Sequence, residues 1–271
     1  MKRLIFASTI LVSAFSSAQA ADLVARSAYT KAASMAVATW TGFYAGVNVG
    51  YGWEDPTATF TPTEDTGASR LNGLATNRSP VSPPTSFDVK GAAGGVQFGY
   101  NHQFERWLAG IEVDFSGSGI KGEGAAALLL VPGLPPGGRT AIAQADEQVK
   151  WFGTVRARLG YLATPDLLVF GTGGFAFGKV DHHAAIIQTG GLGFTLGGAG
   201  AVTCSPGAAC YAGSTSRTAT GWTAGGGIEY AIMRNWTLKA EYLYVNLGRD
   251  AFGINGTVIT PPNPGPVAVS Y

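Results

Sequence analysis

The sequence has few charged residues and, beyond its first 20 residues, no long hydrophobic run. Charged residues make up 13% of the 271-residue chain, about half of the ~25% found in ordinary soluble proteins. No later stretch approaches the ~18 continuous apolar residues that a membrane-spanning helix needs. A hydrophobic chain without helical spans can still cross a bilayer as a β-barrel, since a closed barrel satisfies its own backbone hydrogen bonds.

Cysteine and histidine are also scarce, with two and three residues respectively. Cys204 and Cys210 are close in sequence, which predicts a loop disulfide formed in an oxidising compartment. His102 lies at a short turn, and the adjacent His182 and His183 would point to opposite sides of a strand. A metal site needs several ligands that converge, so we expect no metal and no cofactor. No serine lies in a Gly-x-Ser-x-Gly context, and we expect no enzymatic activity.

The N-terminus has the order of a secretory signal peptide: two basic residues, the apolar run Leu4 to Phe15, and a small-residue box ending at Ala20. We therefore predict a signal peptide over residues 1–20, a periplasmic lead-in over 21–39 and a barrel domain over 40–271. Removing the signal takes the basic residues from 18 to 16 against 17 acidic ones, a net charge of 16 − 17 = −1. Nucleic-acid binding would require a clustered basic surface, so no nucleic-acid partner is expected.

Apolar and small or polar residues alternate strictly over several segments, beginning with Trp40 to Trp53. Such alternation indicates a strand with one apolar face. The segment Leu167 to Phe177 is also predicted as a strand, but its phase is ambiguous because both of its faces are apolar or glycine. The other predicted strands are residues 91–100, 107–118, 149–161, 220–230 and 236–244.

The connections between these strands alternate in length. Short links at 101–106, 162–166 and 231–235 take turns with long ones at 54–87, 119–147 and 179–217. Short periplasmic turns and long outer loops are typical of bacterial outer-membrane barrels, and a compact soluble domain rarely has several loops of that length. The prediction is an all-β fold, a transmembrane up-and-down antiparallel β-barrel of about eight strands, in the cell outer membrane.

The two faces of the strands predict two sets of side chains. Aromatic residues near the short links should form a girdle at one membrane interface. This predicted girdle comprises Phe43, Tyr100, Trp107, Tyr161, Tyr230 and Trp236. Charged residues of both signs lie on the opposite, inner face. They are Glu112, Asp114, Lys150, Arg156, Arg158, Glu229, Lys239 and Glu241. Ion pairs among them would fill a narrow barrel; the alternative is an ion-selective constriction.

Several motifs resemble the opacity-protein-like small outer-membrane barrels, and most closely the alphaproteobacterial porin-family surface antigens. The motifs cover nearly the whole chain after the signal peptide, in order. They are residues 40–53 (WTGFYAGVNVGYGW), 94–101 (GGVQFGYN), 110–116 (GIEVDFS), 171–178 (GTGGFAFG) and 240–248 (AEYLYVNLG).

The resemblance implies an eight-stranded barrel with surface loops that acts in envelope integrity, as a surface antigen, in host adhesion or in limited permeation. It further implies outer-membrane lipid, the barrel-assembly machinery, and host or envelope ligands of the loops as partners. One departure concerns closure, because relatives end with a full strand and a terminal aromatic residue. Here prolines at 262, 264 and 266 interrupt the end, and proline cannot donate to a ladder. Either the last strand is short, or residues 252–259 supply it, or the chain is truncated.

Overall fold

Strands account for nearly all of the chain that the structure, a computed structural model, describes. The described residues are 4–9, 12–15, 40–62, 85–127, 140–190, 194–196, 202–204, 207, 209–233, 235–249, 251–256 and 267–270. No helix within these residues has the length and hydropathy to cross a bilayer.

The strands alternate with tight turns on one side and with longer connections on the other. Their bounds are β1 Leu4–Thr9, β2 Val12–Phe15, β3 Gly42–Glu54, β4 Thr57–Pro62, β5 Thr85–Ser86, β6 Val89–Phe104, β7 Trp107–Ala127, β8 Thr140–Thr164, β9 Leu167–Gly190, β10 Phe194–Leu196, β11 Val202–Cys204, β12 Ala209–Met233, β13 Trp236–Asn246, β14 Ala251–Gly256 and β15 Val267–Ser270.

Seven long strands form the wall of the barrel in the order β3-β6-β7-β8-β9-β12-β13, and each pairs antiparallel with its neighbours. The eighth position, between β13 and β3, is occupied by β1 and β2, which pair antiparallel with both of these strands. The predicted all-β up-and-down barrel is therefore confirmed. Its strands follow one another around the wall because every connection joins antiparallel neighbours.

Side-chain alternation places large apolar groups outside and polar or small groups inside. In β3, Phe43 is 72% exposed whereas Tyr44 is 4% exposed. The strand of ambiguous phase, β9, directs Leu168 and Phe170 inward and exposes Val169. An apolar exterior around a polar interior is the arrangement that a lipid environment favours.

The strands extend beyond the bounds predicted for the long outer loops. β7 continues to Ala127 and β8 begins at Thr140, so the predicted loop 119–147 is largely a strand hairpin; the same holds for 179–217. The cause is continued alternation with small inward residues such as Ala143 and Ala145, both 1% exposed. At about 3.3 Å per residue and a tilt of about 40°, the 25 residues of β8 rise about 60 Å. That height is more than twice the ~25 Å apolar band of an outer-membrane barrel.

A further strand, β15, lies at the outer end of the eighth position. β15 pairs antiparallel with β14, which follows β13, and with β4, which follows β3. Thus β15 enters, from the outer side, the same gap that β1 and β2 occupy at membrane depth. The sequence left residues 252–259 as one alternative for the closing strand. The described part of that segment belongs to β14 (Ala251–Gly256). Because β14 pairs with β12 and β15 on the outer side of β13, it does not close the barrel.

The barrel interior as the candidate functional site

Seven charged side chains converge inside the barrel at mid-height, from inward-facing positions of β7, β8, β12 and β13. Each of these side chains is at most 8% exposed. Together they form the lumen network, which consists of Glu112, Asp114, Arg156, Arg158, Glu229, Lys239 and Glu241. Alternation brings them together, since residues two apart on one strand share a face.

Glu112 is the centre of the lumen network. The Lys239 ammonium donates to both of its carboxylate oxygens at 2.9 Å, and the Arg156 guanidinium donates to Oε1 at 2.5 Å. The Tyr44 hydroxyl donates to Oε2 at 2.7 Å and the Gln97 amide does so at 3.3 Å. A buried carboxylate with this many donors is held at a fixed position.

Arg156 joins Glu112 to two further carboxylates. Its guanidinium lies 3.1 Å from Asp114 Oδ2 and 2.5 Å from Glu241 Oε1. The Thr154 hydroxyl also donates to Asp114. Because one planar cation bridges β7, β8 and β13, it ties opposite walls of the barrel together.

A second pair lies nearer the periplasmic end. The Arg158 guanidinium donates to Glu229, and the Thr237 hydroxyl donates to the other carboxylate oxygen at 2.6 Å. The guanidinium carbon of Arg158 lies 3.9 Å from the centre of the Phe170 ring, a cation–π contact. The lumen network holds three cations and four carboxylates, a net charge of 3 − 4 = −1.

Apolar side chains fill the barrel on the periplasmic side of the lumen network. This inner plug consists of Trp40, Leu108, Leu162, Leu168, Phe170 and Ala231. The Trp40 indole nitrogen donates to the Pro165 carbonyl at 3.0 Å, which fixes the segment before β3 across the periplasmic opening.

A larger apolar cluster fills the barrel on the outer side. This outer core includes Phe60, Phe87, Ile120, Phe152 and Tyr211, all buried. Between it and the lumen network lies a cavity of about 40 Å³, lined by Asn48, Asp114, Ser116 and Arg156 among others. That volume suffices for a few water molecules. The interior is thus filled in three successive layers.

Lys150 does not belong to the lumen network, and its predicted place on the inner face is wrong. Its side chain is 43% exposed and lies 3.6 Å from Asp181 on the outer surface. A β-bulge between Val149 and Trp151 shifts the phase of β8, so that Val149 is buried and Trp151 faces outward. A bulge adds one residue to one strand only and reverses the alternation beyond it.

The six aromatic residues predicted as a girdle all lie on the outer face toward the short turns, and each is at least 39% exposed. The Phe43 and Tyr100 rings lie 4.8 Å apart, and those of Trp107 and Tyr161 lie 5.3 Å apart. They are contributed by neighbouring strands, which is how a belt at a membrane interface is built.

The histidines and cysteines considered in the sequence analysis are the remaining candidate residues. Among the described residues no three histidine, cysteine or carboxylate side chains are placed as metal ligands. His182 is buried and His183 is exposed, on opposite faces of β9. The side chains of Cys204 and Cys210 lie outside the described residues, so their disulfide stays a prediction.

Sequence reasoning missed the uncharged partners of the lumen network and the inner plug. Tyr44 and Gln97 lie at inward positions that alternation alone could have identified. Trp40 is the first residue of the predicted strand Trp40 to Trp53, but the observed strand β3 begins only at Gly42, so alternation does not fix the position of its indole.

The matching family model is described as an outer membrane protein beta-barrel domain, and it spans residues 7–260. The chain belongs to this family. It is also similar to the 31 kDa outer-membrane immunogenic proteins of Brucella melitensis biotype 1 and Brucella suis biovar 1. Identity to each is 36% over 253 residues, covering 92% of this chain and 88% of the relative. The chain is therefore an outer-membrane β-barrel protein, as the sequence predicted.

Proposed function

We propose that this barrel is a closed, non-enzymatic scaffold that carries its outer hairpins and loops above the membrane. The observation that supports this proposal is the filled interior. An ion crossing the barrel would have to displace the inner plug around Trp40, the lumen network around Glu112 and the outer core around Phe60. Eight-stranded barrels are narrow enough for side chains to fill them.

Conductance measurements test this proposal. Full-length protein refolded in detergent and added to planar bilayers should give little steady current. A Trp40→Ala, Leu168→Ala variant, which removes two large side chains of the inner plug, serves as a comparison for leakage. Large, reproducible channels in the unaltered protein would overturn the proposal.

A narrow pore for ions or small solutes is the second candidate function. The cavity beside Arg156, Asp114 and Glu241 favours it, since charged rings set ion selectivity. If ions pass this point, Arg156→Glu should shift the reversal potential in a salt gradient. An unchanged reversal potential in a conducting sample would count against the pore.

The proposed surface role rests on the hairpins of β7 with β8 and of β9 with β12, which extend beyond the apolar band. Loops on a rigid scaffold carry recognition, and the Brucella relatives are named as immunogenic. We propose that residues 63–84, 128–139 and 191–208 contact host or envelope ligands. Antibodies against peptides of these segments should label intact cells, whereas antibodies against the turn at Glu105 should label only permeabilised cells. Equal labelling by both would contradict the orientation.

We also propose that residues 1–20 are removed on export and that residues 21–39 form a periplasmic lead-in. Mass spectrometry of the protein purified from outer membranes should then give an N-terminus at Ala21. In the processed protein a strand other than β1 and β2 must lie between β13 and β3, because an open sheet edge is not stable in lipid. The barrel-assembly machinery is the partner expected to insert the chain.

A further inference from the structure

The outer surface carries one lysine from each of four consecutive strands, at the level where the barrel leaves the membrane. This lysine row consists of Lys90 in β6, Lys121 in β7, Lys150 in β8 and Lys179 in β9, all exposed. Lys90 and Lys121 are direct cross-strand partners. Lys179 is the partner of Trp151, next to Lys150.

The depth of the lysine row follows from residue counts. Lys90 lies 10 residues from the girdle residue Tyr100, and Lys150 lies 11 residues from Tyr161. At about 3.3 Å per residue and a tilt of about 40°, these spacings are about 25–28 Å of height. The apolar band is about 25 Å, so the lysines lie at the outer interface.

Aromatic side chains lie beside and below the lysine row. Trp53 is the cross-strand partner of Lys90, and Phe177 precedes Lys179 by two residues on the same face. The Trp151 ring lies 5.3 Å from the Phe115 ring and 6.2 Å from the Phe177 ring. Cations above an aromatic and apolar surface match an amphiphile with an anionic headgroup and acyl chains.

The described residues neutralise the cations of the lysine row incompletely. Lys90 lies 3.5 Å from Asp88 and Lys150 lies 3.6 Å from Asp181. Neither Lys121 nor Lys179 forms an ion pair with a described residue. Like charges at directly opposite positions, as at Lys90 and Lys121, destabilise a sheet unless an anion lies between them.

Acidic residues lie farther out, on the same strands or, for Asp88, directly before β6. They are Asp88, Glu123, Asp146 and Asp181, and Glu123 and Asp146 are cross-strand partners. These acids are two residues or more beyond the lysines, about 7 Å or more along the strand. An anion at the depth of the lysines would therefore be attracted, and one farther out would be repelled.

We propose that the lysine row binds the phosphorylated headgroup of a glycolipid in the outer leaflet, with its acyl chains on the aromatic and apolar surface below. Phosphate groups are bound by lysine as point charges. The lipid-facing wall of the barrel continues without a break from the acyl-chain level to the lysines, so a lipid molecule can contact both at once.

The test uses full-length protein in detergent with diphosphorylated lipid A as the probe, and native mass spectrometry as the measurement. Unaltered protein should retain the lipid. A Lys90→Gln, Lys121→Gln, Lys179→Gln variant should bind about 100-fold more weakly, at roughly fivefold per lysine near a charged surface. The matching Lys→Arg variant should retain the lipid, and so should Arg106→Gln, which removes a cation at the opposite interface.

Two further probes identify the part of the lipid that is bound. Dephosphorylated lipid A should bind to the unaltered protein as weakly as diphosphorylated lipid A binds to the Gln variant. Inorganic pyrophosphate should compete only weakly, because it lacks acyl chains. The proposal is overturned if the Gln variant retains diphosphorylated lipid A as well as the unaltered protein does, if the dephosphorylated form binds equally, or if pyrophosphate displaces the lipid at equal concentration. Folding of each variant is checked by its heat-dependent gel shift.

Discussion

The buried pair of Arg158 and Glu229 leads to a prediction in which single and double substitutions differ. Both side chains are only 1% exposed. Arg158→Met leaves the Glu229 carboxylate inside the lumen without its cation, although the Thr237 hydroxyl still donates to it. Removing one partner of a buried ion pair costs about 3–5 kcal/mol. Glu229→Leu should cost a similar amount, because it leaves the Arg158 cation buried.

The double variant should lose less stability than either single variant. With both charges gone, neither desolvation penalty remains, and hydrophobic replacement of a buried pair is often neutral or stabilising by about 1–4 kcal/mol. The contact of Arg158 with the Phe170 ring at 3.9 Å is replaced by a Met–aromatic contact of up to about 1.5 kcal/mol. We therefore expect a coupling energy of about 3 kcal/mol or more between the two positions.

The assay is urea unfolding of the barrel folded in lipid vesicles, followed by tryptophan fluorescence, with the gel-shift temperature as a second readout. The control cycle is Lys90→Met with Asp88→Leu, an exposed pair whose two effects should be small and additive. Additive losses at Arg158 and Glu229, with the double variant the least stable of the three, would refute the reasoning.

Three further predictions concern other parts of the barrel. Trp40→Ala should lower the free energy of unfolding by about 3–5 kcal/mol, because the indole is 1% exposed. Trp107→Ala, on the lipid face, should lower it less. An equal loss in the two variants would contradict the role of Trp40 in packing the inner plug. Gly99→Ala should destabilise by about 1–3 kcal/mol, since a methyl group there overlaps the Tyr44 ring; unchanged urea midpoints would contradict this. The Ser216 hydroxyl, which donates to Asp181, and the nearby lysines lower the pKa of the Asp181 carboxyl. The stabilising effect of Asp181 is therefore present above its unfolded pKa and disappears as the pH falls through its folded pKa. Unfolding midpoints of Asp181→Asn and unaltered protein should therefore converge below about pH 3.9, and a gap that widens in acid would contradict that sign.

Much of the wall of the barrel could be predicted from alternation, because each strand buries one face and exposes the other to lipid. The same pattern placed Glu112, Arg156 and Lys239 on one face before their partners were known. Bulges could not be predicted, since one added residue at Val149 to Trp151 reverses the phase without any change in composition. That reversal is why Lys150 was assigned to the wrong face.

The ion pairs inside the lumen and the closure of the barrel could not be predicted from the sequence, for a different reason. Which cation contacts which carboxylate depends on the register between strands distant in sequence, as with Lys239 and Glu112, 127 residues apart. The eighth position depends on which segment reaches the edges of β3 and β13. Local alternation in β15 is compatible with that place, but β15 pairs with β14 and β4, beyond the outer ends of β13 and β3.

The layered interior separates what stabilises this barrel from what it presents to its surroundings. The lumen network lies at mid-height, where Arg156 ties three strands together, and an apolar cluster lies on each side of it. A substitution in the outer loops therefore leaves the lumen network and the inner plug unchanged, since additivity holds for distant sites without shared partners. The lysine row lies between these two regions, at the interface with the outer leaflet. Its removal should change lipid binding while the unfolding free energy set by the interior stays nearly constant, which is the outcome that distinguishes a surface contact from a structural one.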